Sequence, residues 1–263
     1  MQLTESQTVN NASGWLPILV LPLTAVACRD LLSPWVFMWI LSLSIYISLK
    51  WLTWWRSRSR IPHPAWRSVA YLLAWPGMDA DAFLDARQRA TSPASIAWLW
   101  ATFETIVGAT LLWVAARSAP PGQPLIRGWT GMLGLILILH FGTFQLVALV
   151  WQSLGVKAEP IMSAPLRSTS LGEFWGKRWN LGHDLVISLP ARGGYGLPAL
   201  YFLLQGAGVT VEHSRLGKRL GLGLGSRGWC FMMMFLVLPV FGLFHPWFVL
   251  RVILPFMRAI HAL

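Results

Sequence analysis

Charge is what this sequence has least of. Only 12% of its 263 residues are Asp, Glu, Lys or Arg, against about 25% in ordinary soluble domains, which excludes a water-solvated globular surface over most of the chain. Carboxylates are the scarcer sign, ten against 21 Lys and Arg. Cysteine is nearly missing too. Cys28 and Cys230 stand far apart with no ligand-type spacing, which excludes a disulfide framework and a cysteine-based zinc site. The N-terminal "MQLTESQTVNNASG" lacks a basic region and a small-residue cleavage site, so no cleavable signal peptide is expected. No internal repeat of roughly 20–50 residues occurs. The longest Pro-rich connector, "SAPPGQP" at 118–124, is too short to separate domains, and residues 1–263 read as one domain.

What fills the space is apolar. The chain is 55% hydrophobic with a mean hydropathy of +0.54. A bilayer core of roughly 30 Å needs about 20 apolar residues per helix. Stretches of that kind lie near 16–32, 35–55, 95–116, 131–152, 184–211 and 229–250. The first of them contains Pro17 and Pro22, and the second ends in a tryptophan cluster suited to a membrane interface. The expected fold is all-α: a polytopic membrane helical bundle of about six to eight long helices, interfacial ones included, with no sheet.

Seventeen tryptophans and a net charge of +11 are also the footprint of a nucleic-acid binder. Here, however, the cations lie between the apolar spans rather than on one soluble face, so orientation of a multi-pass membrane protein is the simpler account and no nucleic-acid partner is expected. The densest group, Arg56, Arg58, Arg60 and Arg67, is placed to meet anionic lipid head groups. After it, "AWPGMDADAFLDARQRA" at 74–90 has a Pro-Gly turn and then Phe83 and Leu84 among charges, the pattern of an interfacial element.

The most polar passage beside an apolar run is "SLGEFWGKRWN" at 170–180, followed closely by His183 and Asp184. Ser170 with Glu173 three positions on is a capping-box pattern, which starts a helix near Leu171. On a continuous helix Trp175, Trp179 and His183 would form one stripe, with Asn180 on the same side. Such an aromatic and basic segment also serves as a simple anchor in the head groups.

The block "SLGEFWGKRWN" resembles the signature of the wax-synthase branch of the membrane-bound O-acyltransferase family. Four further stretches are similar to bacterial members: "WPGMDADAFL" at 75–84, "LHFGTFQLVALVWQSLGV" at 139–156, "PIMSAPLRSTSL" at 160–171 and "HDLVISLPARGGYGLPALYFLLQG" at 183–206. The resemblance implies transfer of an acyl group from acyl-CoA, a co-substrate rather than a resident cofactor, to a lipid alcohol at the bilayer. It implies His183 as the general base and Asn180 as its polar companion. A neutral imidazole in reach of a hydroxyl can take its proton during attack on a thioester. Trp175, Lys177, Arg178, Trp179 and His140 are the expected substrate-binding residues, with Lys177 and Arg178 as phosphate partners. No metal is expected.

One feature departs from the family. Wax synthases separate the tryptophan motif from the histidine by tens of residues including a hydrophobic segment, whereas here only Leu181 and Gly182 intervene. With the N-terminus inside, the loop holding Arg215, Lys218, Arg219 and Arg227 then falls outside, against the positive-inside rule. A lost span or a re-entrant 184–211 segment would each repair the count. An inactive relative, or a non-enzymatic lipid-binding membrane protein, is the alternative function. Glu104 and His140 are polar residues inside apolar spans, which are costly there and point to function. "GLGLG" at 221–225 follows no strand and reads as a connector.

Overall fold

The computed structural model describes residues 5–179, 197–243 and 248–263. Among them every regular element is helical, and the sole β-type pairing is an isolated bridge between Arg89 and Val156. Among the described residues three helices are long and apolar enough to cross a membrane: Pro34–Ser57, Ser95–Ser118 and Pro124–Ser153. At 1.5 Å per residue the shortest of them, 24 residues, is about 36 Å long. The chain divides into two compact units, residues 1–95 with 147–159, and residues 96–146 with 160–263.

In the first unit α1 (Glu5–Ala27) lies along α2 (Pro34–Ser57). The apolar stretch expected to run to residue 32 stops at Ala27 and gives way to a tight turn, Arg29–Leu31. The two prolines are accommodated inside α1. A proline at position 17 cannot donate to the carbonyl four residues back, and the Trp51 indole N–H donates to that Ser13 carbonyl instead, at 3.2 Å. Ser48 supplies a second donor, to the Pro17 carbonyl at 2.7 Å. Within a bilayer core such replacements would be needed, because no water is there to make them.

Below α2, α3 (Ala65–Ala74) and α4 (Ala80–Leu84) bracket the connector 75–79. Its carbonyls are met from inside. Tyr46 donates to Pro76 at 3.2 Å, Tyr71 to Met78 at 3.0 Å, and the buried Lys50 Nζ to Gly77. Lys50 Nζ also stands over the Tyr71 ring, 3.4 Å from its centroid. Asp79 caps α4 through the Ala82 N–H at 2.9 Å.

Two expectations change here. Phe83 and Leu84 are fully buried against Tyr71, Trp75 and neighbouring apolar side chains. Residues 82–84 are therefore wedged into a core of aromatic side chains, while residues 86–89 stay exposed. Arg67 also turns inward, donating to the Phe83 carbonyl at 3.0 Å. Arg58 lies over the Trp55 ring at 3.4 Å and Arg60 pairs with Asp81 at 3.1 Å, so of the four arginines only Arg56 is left with neither contact among the described residues.

In the second unit α5 (Ser95–Ser118) crosses α6 (Pro124–Ser153) backbone against backbone. Gly128, Gly131 and Gly134 line one face of α6. Val249 and Met257 fill the gaps at the first two, and a Cβ at Gly134 would stand 2.7 Å from the Gly108 carbonyl oxygen. Small residues at such crossings let helices gain dispersion contacts that lipid cannot replace. The remaining elements are α7, which begins at Leu171–Glu173 and continues as a π-turn over Phe174–Arg178, then α8 (Leu197–His213), α9 (Arg215–Leu220), α10 (Gly225–Leu243) and α11 (Leu254–Ala259).

Candidate functional site

The motif segment is built from its N-terminus. Ser170 Oγ accepts from the Glu173 N–H at 2.9 Å, so the cap read from the sequence forms and α7 starts at Leu171. Glu173 reaches back to the Thr169 N–H at 2.9 Å, one residue beyond the usual capping-box target. The N–H groups of Leu171 and Gly172 would still be orphans. Glu212 of α8, a buried carboxylate, accepts both, at 2.6 and 3.4 Å. Two carboxylates thus sit where the helix dipole favours negative charge.

At Phe174 the helix widens into its π-turn, and the Trp179 N–H closes it on the Phe174 carbonyl at 2.7 Å. Trp179 itself is extended, with φ −99° and ψ 117°. The continuous helical stripe expected through Trp175, Trp179 and His183 therefore breaks at Trp179, since the wider turn ends the helix there. Asn180 and His183 lie outside the described residues.

Trp179 leaves the helix into an aromatic cluster. Its ring stacks on Phe174 at 5.2 Å and on His140 at 5.6 Å, and meets Trp175 and Phe141 edge-on at 6.3 and 6.2 Å. His140 comes from α6, in a π-helical stretch over Leu137–Thr143. Such widened turns occur often at functional sites. The buried Trp179 indole N–H has no acceptor among the described residues. Three of the expected substrate-binding residues, His140, Trp175 and Trp179, are thus brought together.

The two cations behave differently. Arg178 donates to Glu173 at 2.7 Å and to the Ser163 carbonyl at 3.3 Å, which commits its guanidinium to the protein. Lys177 is exposed. The Thr169 N–H and then Arg178 hold the Glu173 carboxyl below the usual carboxylate range. A carboxyl that binds its proton less readily when folded stabilises the fold at pH values above its unfolded pKa of about 4.3. That contribution is lost as the pH falls through the lower, folded value. The expected result is a thermal midpoint that declines below about pH 4, with a shallower acid limb in Glu173→Gln.

One contributor escaped sequence reading. Trp175 donates through its indole nitrogen to Gln205 Oε1 at 3.2 Å, and the Gln205 amide nitrogen donates to the Phe235 carbonyl. Phe235 lies four residues before Pro239, which sits inside α10 and has no N–H to offer. Gln205 thus repairs a helix break and orients a motif tryptophan with one side chain. The signal was present as Pro239 in an apolar run, but nothing local identified the donor. Gln205→Leu is expected to lower stability by about 1–3 kcal/mol for each group left unpaired. Combining it with Pro239→Ala restores an N–H for Phe235, so thermal unfolding of the double variant should recover some of the loss.

No family model, curated protein or solved structure matches this chain. Among the described residues no three His, Cys, Asp or Glu side chains gather as a metal site would require.

Proposed function

We propose that this protein is a multi-pass membrane O-acyltransferase of the wax-synthase type, moving a fatty acyl group from acyl-CoA to a long-chain alcohol. The observation that supports the reading most is the aromatic cluster that Trp179 forms with His140, Phe174 and Trp175, ending one residue before Asn180. An apolar, aromatic wall of this kind excludes water from a thioester and receives acyl chain.

In the proposed reaction His183 takes the alcohol proton as the hydroxyl oxygen attacks the thioester carbonyl. The C–S bond then breaks, the ester leaves, and the proton passes to the coenzyme A thiolate to give free thiol. Asn180 donates to the carbonyl oxygen as negative charge develops on it. Lys177 is the cation that meets coenzyme A phosphate, while Arg178 keeps the motif folded through Glu173 and Ser163. The bilayer supplies both lipid tails, and no resident cofactor is involved.

The test is ester formation by purified protein in detergent or lipid, with one free thiol released per ester. Failure of the unmodified protein to form ester from any acyl-CoA and alcohol pair, while it still binds lipid, would overturn the enzymatic reading in favour of a lipid-binding membrane protein.

A further inference from the structure

Arg58, Arg60 and Arg67, three of the four arginines expected at the head groups, have partners within the protein. A set of uncommitted cations lies in the other unit, at the bend that joins α8 to α10. Residues 214–229, "SRLGKRLGLGLGSRGW", hold Arg215, Lys218, Arg219 and Arg227 and no carboxylate. All four are exposed, and none has an ion pair or a side-chain hydrogen bond among the described residues. The nearest acid before them, Glu212, is buried and turned onto the N–H groups of Leu171 and Gly172, so it does not neutralise the bend.

Two glycines press the bend against the protein. A Cβ at Gly217 would run into the Val211 carbonyl, and one at Gly228 into that of Thr169. With those faces spent, Leu216, Leu220 and Leu224 are left 61%, 48% and 74% exposed among the cations. Trp229, also exposed, donates its indole N–H to the Leu166 carbonyl at 3.1 Å. That bond sets Leu166 and Arg167 beside the bend. Both are exposed, and Arg167 is a fifth cation without a partner among the described residues. The patch therefore combines charge of one sign with large apolar side chains, which mark a surface that meets something other than water.

We infer that this bend, with Leu166 and Arg167, docks on the anionic lipid of one leaflet, its leucines in the acyl boundary and its cations on lipid phosphate. Arginine and lysine extend their charged ends to the head groups while leucine enters the layer beneath, which is how interfacial segments divide their side chains. A nucleic acid would answer the charges and leave the leucines in water. A neutral bilayer would answer the leucines and leave the charges without partners. Anionic lipid answers both. Because Leu166 and Arg167 are tied to the bend, both basic segments meet the same leaflet. The loop that a count of spans in the sequence put outside then takes the cytoplasmic side, in accord with the positive-inside rule. Docking of this kind requires no turnover and stands apart from acyl transfer.

The experiment uses the full chain in phosphatidylcholine nanodiscs that hold a small fraction of either phosphatidylglycerol or phosphatidylcholine carrying a nitroxide high on one acyl chain. The nitroxide quenches nearby tryptophan, and the part of the quenching that disappears in Trp229→Phe reports the bend. Phosphatidylglycerol is expected to quench Trp229 at a lower mole fraction than phosphatidylcholine. That preference should fall about fivefold with each of Arg215→Gln, Lys218→Gln and Arg219→Gln. Arg258→Gln, which removes an exposed cation of α11 outside the patch, should leave it unchanged. Leu216→Ser combined with Leu224→Ser should reduce quenching by both lipids. Salt at about 1 M, which screens charges beyond roughly 3 Å, should abolish the preference. The salt arm uses the unmodified chain, so it decides even where a variant does not fold. Equal quenching by the two lipids at low salt, or a preference that survives high salt, would overturn the proposal. Access of aqueous iodide to Trp229, blocked by single-stranded RNA and not by phosphatidylglycerol, would overturn it in favour of a nucleic-acid partner. Ester formation is not the readout, so an inactive chain would leave this result standing, and an active one would not rescue it.

Discussion

His183→Ala is expected to remove most of the ester-forming rate, by roughly 10²–10⁴-fold, the contribution of a positioned general base. The loss should fall on turnover, with little change in thermal midpoint. His140 provides the necessary comparison because its ring stacks on Trp179. His140→Phe keeps an aromatic ring in the stack while removing the basic nitrogens, and is expected to preserve most of the rate. Full activity in His183→Ala combined with loss in His140→Phe would move the base to α6 and overturn the assignment. Arg178→Lys separates positioning from substrate contact. An ammonium cannot bond to Glu173 and the Ser163 carbonyl in the same fork geometry, so stability should fall whichever acyl-CoA is used.

The largest structural effect is expected at the crossing of α5 and α6. A Cβ at Gly134 would lie 2.7 Å from the Gly108 carbonyl oxygen and 2.9 Å from the Leu112 backbone nitrogen. Backbone atoms cannot rotate away as a side chain can, so Gly134→Leu must push the helices apart. Along the same face, a Cβ at Gly131 would meet only the flexible end of the Met257 side chain. Separation at Gly134 would therefore cost more than a clash at Gly131. We expect Gly134→Leu to destabilise by about 3 kcal/mol, and Gly131→Ala to cost less because Met257 can move. Thermal unfolding in one detergent, with lipid-binding capacity measured in parallel, checks both. Equal midpoints for Gly134→Leu and the unmodified protein would show that the crossing is looser than its geometry.

Ser170 was legible as a cap because capping is a relation among four consecutive residues, and the structure starts the helix where that pattern places it. The end of the same helix was not legible. Extrapolating a 3.6-residue period carried the stripe through Trp179, whereas the π-turn at Phe174–Arg178 releases Trp179 from the helix and turns it under His140. That widening depends on what the ring stacks against, and His140 is 39 positions away in sequence. Phe83 and Leu84 give the same lesson in the other unit. Their alternation with charges suggested an interface, and the aromatic cage of Tyr71 and Trp75 buried them instead.

The sequence by itself determined the class: scarce charge, long apolar runs and no strand pattern leave helices as the way to satisfy backbone groups internally. It also determined where α2 and α5 run and where α6 ends, because length and hydropathy are properties of consecutive residues, whereas α6 starts at Pro124, seven residues before the apolar stretch expected from 131. Only the tertiary structure decided which side chain answers which orphaned backbone group. Trp51 serves the Ser13 carbonyl beside Pro17, Gln205 serves Phe235 beside Pro239, and Glu212 serves the first N–H groups of α7. Each partner lies some 30–40 residues from the group it completes. Periodicity and capping reach only about one or two helical turns, whereas these pairings are set by which helices come to lie side by side.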